Sequence, residues 1–486
     1  MTESTARVDT RLCRHLVNQL YVILRIVKIY QPNNASVANA LEGFLNVLRS
    51  VAGTWENVTI EAMVGCLYVN GVRLKVDVAG YASHRYIVQE MEKFGLRNII
   101  ITDRLGIEEL RTFAYAVTEI DGGRPGFEQL RSALDEKGIS NISITKSTGA
   151  DSQLDDKRAQ GAEERAKKTY HNTIKIVKQI MHSASHFEAV KLRRAKRAVQ
   201  SIVDSILHDE SFLLSLATIK SHDEYTFNHC VNVCIYSVAL GQRLGLSKSR
   251  LGQLGMAALF HDLGKVEIPW DILNKPEGLN REEWELVKAH TVHGTRLLAK
   301  LCRLDEQSLR AIVVAYEHHV NFDLTGYPAV RKDRTIDLFS KIVRITDAFD
   351  AMTTSRIYRM IPRNPHDSVL FLVREGGKSF DPHLVRVFVS MTGIYPVGTV
   401  LELDTGESAV VVKPSRDASD IARPSVSIIA GSEGVQCGGE ILSLAETDGQ
   451  GRYLRNVKRV LEADQFGLNV PELLVGPLGM DTAGVQ

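Results

Sequence analysis

From about residue 211 to residue 392 the chain is written largely in helical period. Its apolar stretches carry ionisable side chains that such faces do not ordinarily accept. His229 is followed by Val231, Val233 and Ile235. His261-Asp262 closes the run Ala258-Leu259-Phe260 and precedes Leu263-Gly264-Lys265. His290, the adjacent pair His318-His319, and Asp347 after Ile342-Val343-Arg344-Ile345-Thr346 complete the set. A buried charge is costly unless it is paired or ligated. A lone histidine in such a setting is usually satisfied inside a core. Five histidines and two aspartates over five segments of one helical region are harder to satisfy singly, and metal coordination is a usual remedy.

The adjacency of the ligands says more. Neighbouring helical residues point about 100° apart, so His261 and Asp262 cannot face one ion in the same way. Both can reach a paired-metal site, where the aspartate's two oxygens allow it to bridge. His318-His319 repeats that logic. Mixed imidazole and carboxylate ligands suit iron, manganese or zinc, and the lack of thiolates argues against a structural zinc site. Two ions about 3.5–4 Å apart clamp an in-line displacement at phosphorus and lower the pKa of a bound water toward ~7, making hydroxide at neutral pH. They also take up charge on the phosphoryl oxygens. Lys265, one turn after His261-Asp262, is placed to reach a non-bridging phosphate oxygen. Without the cluster it would read as a solvated lysine.

HDLGKVEIP, AHTVHG, HHVNFDLTGYP and DAFDAMTTSRIYR, in that order, closely resemble the HD-GYP phosphodiesterases of the HD superfamily of metal-dependent phosphohydrolases. The resemblance covers roughly residues 211–392. It implies an all-helical HD-type catalytic domain that hydrolyses a bacterial cyclic dinucleotide, chiefly cyclic di-GMP to pGpG or GMP. It implies two divalent ions, iron or manganese first and zinc as the alternative. The implied metal ligands are His229, His261, Asp262, His290, His318, His319 and Asp347, with Asp262 bridging. Lys265 would bind and polarise the scissile phosphate. Gly326, Tyr327 and Pro328 would form the loop beside the substrate, with Tyr327 near a base. Arg356 and Arg359, one turn apart, would hold phosphates, as guanidinium forks do.

Three positions depart from the family pattern. Val320 stands where Glu usually follows the paired histidines. Asp323-Leu324 replaces the usual Asp-Gly. Tyr225 replaces the glutamate of three-metal members, so two ions are expected. Val320 and Leu324 keep two alternatives open: a low-activity or inactive nucleotide-sensing or protein-interaction module, and an enzyme preferring cyclic GMP-AMP. His293, one turn from His290, is expected at the surface or behind the ligands.

The rest of the chain reads as a multidomain, mainly α protein. Leu12, Leu16, Leu20, Ile23 and Val27 form one stripe, Gln31-Pro32-Asn33-Asn34 breaks it, and Val37, Leu41, Phe44, Leu45 and Leu48 form another. This helical hairpin either packs on the next segment or forms a homodimer seam. Asn70-Gly71 between alternating apolar residues predicts a β-hairpin. A helix (82–95), a strand (97–102) and a helix (106–119) come next. Residues 1–145 therefore read as an N-terminal α+β regulatory module, open to a protein signalling partner. Residues 146–168 are polar and read as a linker running into a helix start. The catalytic domain spans 169–392, a small β-rich domain 393–460, and a tail 461–486. The basic run Lys191, Arg193, Arg194, Lys196 and Arg197 reads as the solvated face of an amphipathic helix.

A net charge of +1 supplies no basic field for DNA. No run approaches the ~20 apolar residues of a membrane span, and the N-terminus lacks a secretory apolar core. Six cysteines without a CxxC pair fit a reducing compartment, so a cytoplasmic location is expected.

Overall fold

The two N-terminal stripes bury their apolar residues in their own unit. Leu16, Leu20, Ile23, Leu41, Phe44 and Leu48 share one core with the strands that come after them. The computed structural model describes residues 10–462, apart from 53–56, 64–65, 75–77, 121–125, 148, 186–191, 209, 219–224, 276, 302–304, 355–362, 416–419, 432–440 and 449. The chain divides into two compact units, 1–164 and 165–486.

In the first unit α1 (Thr10–Ile26) and α2 (Ala35–Ala52) precede β1 (Asn57–Met63), β2 (Cys66–Val69) and β3 (Val72–Arg73). Asn70 and Gly71 take φ 48° and 75°, the left-handed pair that a two-residue hairpin turn between β2 and β3 needs. Next come α3 (Val78–Lys93), β4 (Leu96–Thr102), α4 (Ile107–Glu119), α5 (Gly126–Glu136) and β5 (Ile142–Lys146). The strands form one antiparallel sheet in the order β3-β2-β1-β4-β5. Alternate residues Val58 and Ile60 of β1 and Ile99 and Ile101 of β4 point into the core.

The segment expected as a linker running into a helix start, 146–168, is already helical from Gly149 onward, within α6 (Gly149–Ser185). Its polar composition concealed strong helix formers (Gln, Lys, Arg, Ala, Glu) and no proline.

The second unit continues with α7 (Leu192–His208), α8 (Glu210–Leu216), α9 (Tyr225–Arg243) and α10 (Lys248–Leu259). A 3-10 turn (Leu263–Glu267) leads to α11 (Trp270–Leu273), α12 (Arg281–Lys288), α13 (His290–Leu301), α14 (Glu306–Glu317) and α15 (Leu338–Thr353). Helices α16 (Pro365–Arg374) and α17 (Pro382–Thr392) close the helical part. The basic residues Arg193, Arg194, Lys196 and Arg197 of α7 lie on its solvent side, while Ala195, Val199, Ile202 and Ile206 face the core. Helix α9 is the axis. It packs on α10, α15, α7 and α17, and every residue from Cys230 through Leu240 is buried. A helix buried all round is the kind that sits inside a bundle. Cys230 and Cys234 are free thiols within it.

A second antiparallel sheet comes last, with β6 (Val400–Leu403), β7 (Ser408–Lys413), β8 (Ser425–Ala430), β9 (Ile441–Ser443) and β10 (Val457–Leu461) in the order β10-β6-β7-β8-β9. It is tied to the helices where Asn364 Nδ2 donates to Leu461 O at 3.2 Å and the His366 ring stacks on Tyr395 at 5.0 Å. Among the described residues the protein is thus mainly helical, with two small antiparallel sheets. No described helix is long and apolar enough to cross a membrane.

Candidate metal centre

His229 lies in the first turns of α9 and Asp347 in the third turn of α15, two helices that pack together. The other five residues lie at helix ends. His261-Asp262 was expected on a helix but occupies the turn after α10, where Phe260 (φ −110°, ψ 7°) and Asp262 (φ −100°, ψ 9°) have left helical geometry. His290 opens α13, and His318-His319 follow the last turn of α14.

Carbonyls of the last helical turns supply the acceptors that aim three of these rings. His261 Nδ1 bonds Ala258 O (2.7 Å), His290 Nδ1 bonds Val287 O (2.6 Å), and His318 Nδ1 lies 3.0 Å from Ala315 O and 3.1 Å from Val314 O. A carbonyl only accepts, so Nδ1 must carry the proton and Nε2 keeps a lone pair. All three rings therefore turn a metal-binding nitrogen the same way.

Those nitrogens converge with the carboxylates. Asp262 Oδ1 is 3.3 Å from His290 Nε2 and 3.8 Å from His318 Nε2. Asp262 Oδ2 is 3.3 Å from His261 Nε2 and 3.6 Å from His229 Nε2. Asp347 Oδ1 is 3.1 Å from His229 Nε2 and 3.9 Å from His261 Nε2, and its Oδ2 is 3.8 Å from His319 Nδ1. Two donor groups result, each with its donor atoms within 4.8 Å of one another: His229, His261 and Asp262, and Asp262, His290, His318 and His319. Asp262 belongs to both.

The donor set fits divalent cations. His261 Nε2 and Asp262 Oδ1 are buried without a hydrogen-bond partner, which is costly unless something ligates them. Burial pushes Asp262 up, but Lys265 and His261 outweigh it and hold the carboxyl well below its usual range. Burial likewise opposes ionisation of Asp347, and the neighbouring His229 and His319 more than offset it. Burial lowers His290 to about 4, and it drives His318 and His319 well below their ordinary value. Neutral imidazoles and ionised carboxylates are the forms that bind metal. His229 differs. Burial would lower it, but the carboxylates of Asp347 and Asp350 raise it to about 9, so an incoming ion must displace a proton there.

Two glycines are sterically required. A Cβ on Gly264 would stand 1.9 Å from His290 O and 2.3 Å from Gly294 N, so the turn after Asp262 lies directly on α13. Gly326 has φ +93°, and a Cβ there would meet His319 O at 2.3 Å. Residues 320–326 close on themselves through the Val320–Gly326 bridge, and Val320 is buried. Leu324 holds the left-handed φ of +67° in this loop. The Tyr327–Pro328 peptide is cis, and the Tyr327 ring lies 4.6 Å from that of His319. Lys265 Nζ donates to Asp262 Oδ2. His293 faces Glu267 (3.1 Å) and belongs to neither donor group. Arg356 and Arg359 lie outside the described residues.

Several neighbours of the centre escape a reading of the sequence. Asp350, fully buried one turn after Asp347, accepts from His229 Nδ1 at 2.8 Å and from Asn232 Nδ2 at 3.0 Å. Tyr170 Oη on α6 donates to Asn232 Oδ1 at 2.9 Å. The second aspartate of the DAFD run was the available signal. Arg344, one turn before Asp347, donates through Nη2 to Asn321 Oδ1 at 3.0 Å, and Asn321 Nδ2 donates to Thr325 Oγ1 at 2.9 Å. The loop that carries Tyr327 is thereby tied to the helix that carries Asp347. Nothing in the local sequence announces that tie.

Comparison with known proteins agrees with this geometry. Residues 213–384 match the family model described as HD domain. The chain is similar to "Cyclic di-GMP phosphodiesterase PA4108" of Pseudomonas aeruginosa, 36% identical over 46% of this chain and 53% of that protein. It is similar to a "Cyclic di-GMP phosphodiesterase" of Thermotoga maritima, 32% identical over 37% of this chain and 50% of that one. It also resembles "3'3'-cGAMP-specific phosphodiesterase 3" of Vibrio cholerae, 28% identical over 46% of this chain and 49% of that one. The chain spans about half the length of the curated relatives it matches. The HD motif, paired histidines and GYP loop are gathered in one place within the matched segment, so residues 213–384 carry an HD domain, and that domain is similar to those of the cyclic dinucleotide phosphodiesterases named above.

Proposed function

We propose that the protein hydrolyses a phosphodiester bond of a cyclic dinucleotide, cyclic di-GMP first, giving pGpG or GMP, at two divalent cations, iron or manganese. The observation that carries this reading is Asp262, whose two oxygens address two different histidine groups. His229, His261 and Asp347 would hold one ion and His290, His318 and His319 the other, with Asp262 between them. Asp347 Oδ2 also reaches toward His319. Such a pair supplies positive charge for the phosphoryl oxygens and lowers the pKa of a bound water toward ~7.

The chain's own groups do the rest. Lys265, resting on Asp262 with its side chain 21% exposed, offers a positive charge to a non-bridging phosphate oxygen. Gly326, Tyr327 and Pro328 border the substrate, and Arg356 and Arg359 would hold its phosphates. Water adds across one P–O bond, and the displaced ribose oxygen takes up a proton. A preference for cyclic GMP-AMP is a second reading, favoured by the relative named for that substrate. A cytoplasmic location and a regulatory role for residues 1–145 go with either reading.

The test is hydrolysis of cyclic di-GMP and cyclic GMP-AMP by the metal-loaded full chain, with bound metal counted. Wild type should hold two ions and turn over at least one substrate. Asp262→Ala should lose turnover and bound metal. Stoichiometric metal with no hydrolysis of any cyclic dinucleotide would overturn the assignment.

A further inference from the structure

The rings around the candidate centre do not stop at the histidines. Tyr327 lies 4.6 Å from His319 and 6.2 Å from His290, and it meets Trp284 at 6.1 Å. The two planes stand at 79°, so the indole and the phenol form a corner. Lys288 Nζ lies 6.0 Å from the Tyr327 ring centre, and it also pairs with Glu285 at 2.6 Å.

Trp284 and Lys288 both come from α12, which has no fully buried residue. That helix is fixed at its start by a reciprocal cap, Asn280 with Glu283, and by Lys275 on the same glutamate at 2.7 and 2.8 Å. Core packing therefore does not account for a tryptophan on it, and Trp284 remains 44% exposed. The same helix supplies Val287 O, the carbonyl that aims His290. The indole is thus held in fixed relation to a candidate ligand.

We infer that Trp284, with Tyr327, is the stacking platform for a purine base of the substrate, and that α12 exists to present it. This rests on the cyclic dinucleotide reading above. A phosphodiester held at Asp262 has its base one ribose away, and Tyr327, 4.6 Å from His319 and 6.2 Å from His290, stands at that range from the candidate ligands. A base stacked on one ring turns its own edge toward the other ring, the perpendicular arrangement that aromatic groups favour. Stacking reads the π-face, which every base has, so the platform supplies affinity and leaves base identity to other groups.

The experiment uses the manganese-loaded full chain. The protein has three tryptophans, so Trp55→Phe with Trp270→Phe leaves Trp284 as the single indole. Titration with a phosphorothioate analogue of cyclic di-GMP should quench its emission saturably. Trp284→Ala should raise KM roughly 5- to 150-fold, with a much smaller change in kcat, as for loss of uniform binding. Trp284→Phe should fall between the two, and the factor should be similar for cyclic GMP-AMP. An active wild type with unchanged KM in Trp284→Ala, or calorimetric binding of the analogue without any change in Trp284 emission, overturns the platform and leaves the hydrolase reading intact. Quenching by the analogue without turnover of any cyclic dinucleotide sinks the hydrolase reading and supports the platform. Absence of all binding sinks both.

Discussion

Asp350 offers the sharpest perturbation. Its carboxylate is fully buried and accepts from His229 Nδ1 and Asn232 Nδ2, at 2.8 and 3.0 Å. In Asp350→Ala both donors lose their acceptor inside the core. Each buried donor left unpaired costs about 1–3 kcal/mol, so the metal-free protein should lose about 2–6 kcal/mol of stability. The effect on metal is separate. A carboxylate behind a ligating histidine fixes its tautomer and raises its basicity, and its loss typically lowers metal affinity about 10- to 100-fold. Asp350→Asn keeps the volume and one acceptor oxygen, but it sets its own amide hydrogens against those of Asn232. It should recover part of the stability while metal affinity stays reduced. Chelator competition with manganese measures the affinity, and thermal melts with and without chelator measure the stability. Asp350→Ala with wild-type manganese affinity would refute the proposed support of His229, whatever its melting temperature.

Other consequences of the same geometry can be checked together. His229 is raised from 6.5 to about 9, so its contribution to metal-free stability is complete below pH 6.5 and is lost as pH rises through about 9. His290, His318 and His319 are lowered, so on their account stability falls as pH drops below 6.5, where the unfolded chain takes up their protons. Chelated protein should therefore melt highest near neutrality, and metal should remove the alkaline decline by displacing the His229 proton. Equal melting temperatures of chelated protein from pH 6.5 to 9 would contradict this. Gly264→Ala should separate the turn from α13, since its Cβ would overlap His290 O and Gly294 N, and metal affinity should fall with stability. Calorimetric titration showing unchanged metal binding would mean the close approach does not matter. Leu324→Gly removes a left-handed strain of about 1–2 kcal/mol against an entropy cost of about 0.5–1 kcal/mol, so its melting temperature should hold or rise. A clear fall would show that the Leu324 side chain stabilises the loop by packing.

The seven imidazole and carboxylate residues are legible as a set because each interrupts an apolar context, and in the structure they meet. Their backbone setting is not legible. Helical period runs unbroken through Phe260-His261-Asp262, whereas the chain has already turned there, for a reason that lies in α13: the turn must rest on His290 O and Gly294. The Asn70-Gly71 hairpin can be read because its conformation is local. The early start of the helix, at Gly149, is hidden because the polarity of 149–168 resembles that of an unstructured segment. The tie from Arg344 through Asn321 to Thr325 joins residues 23 and 4 positions apart and leaves no periodic trace.

Three of the imidazoles are oriented by main-chain carbonyls of the turn just before them. A point mutation can delete a side-chain buttress, but it leaves a peptide oxygen in place. Drift among neighbouring residues should therefore spare the aim of His261, His290 and His318 while the helix ends keep their register, and His229, which leans on Asp350, is the ring most exposed to such drift.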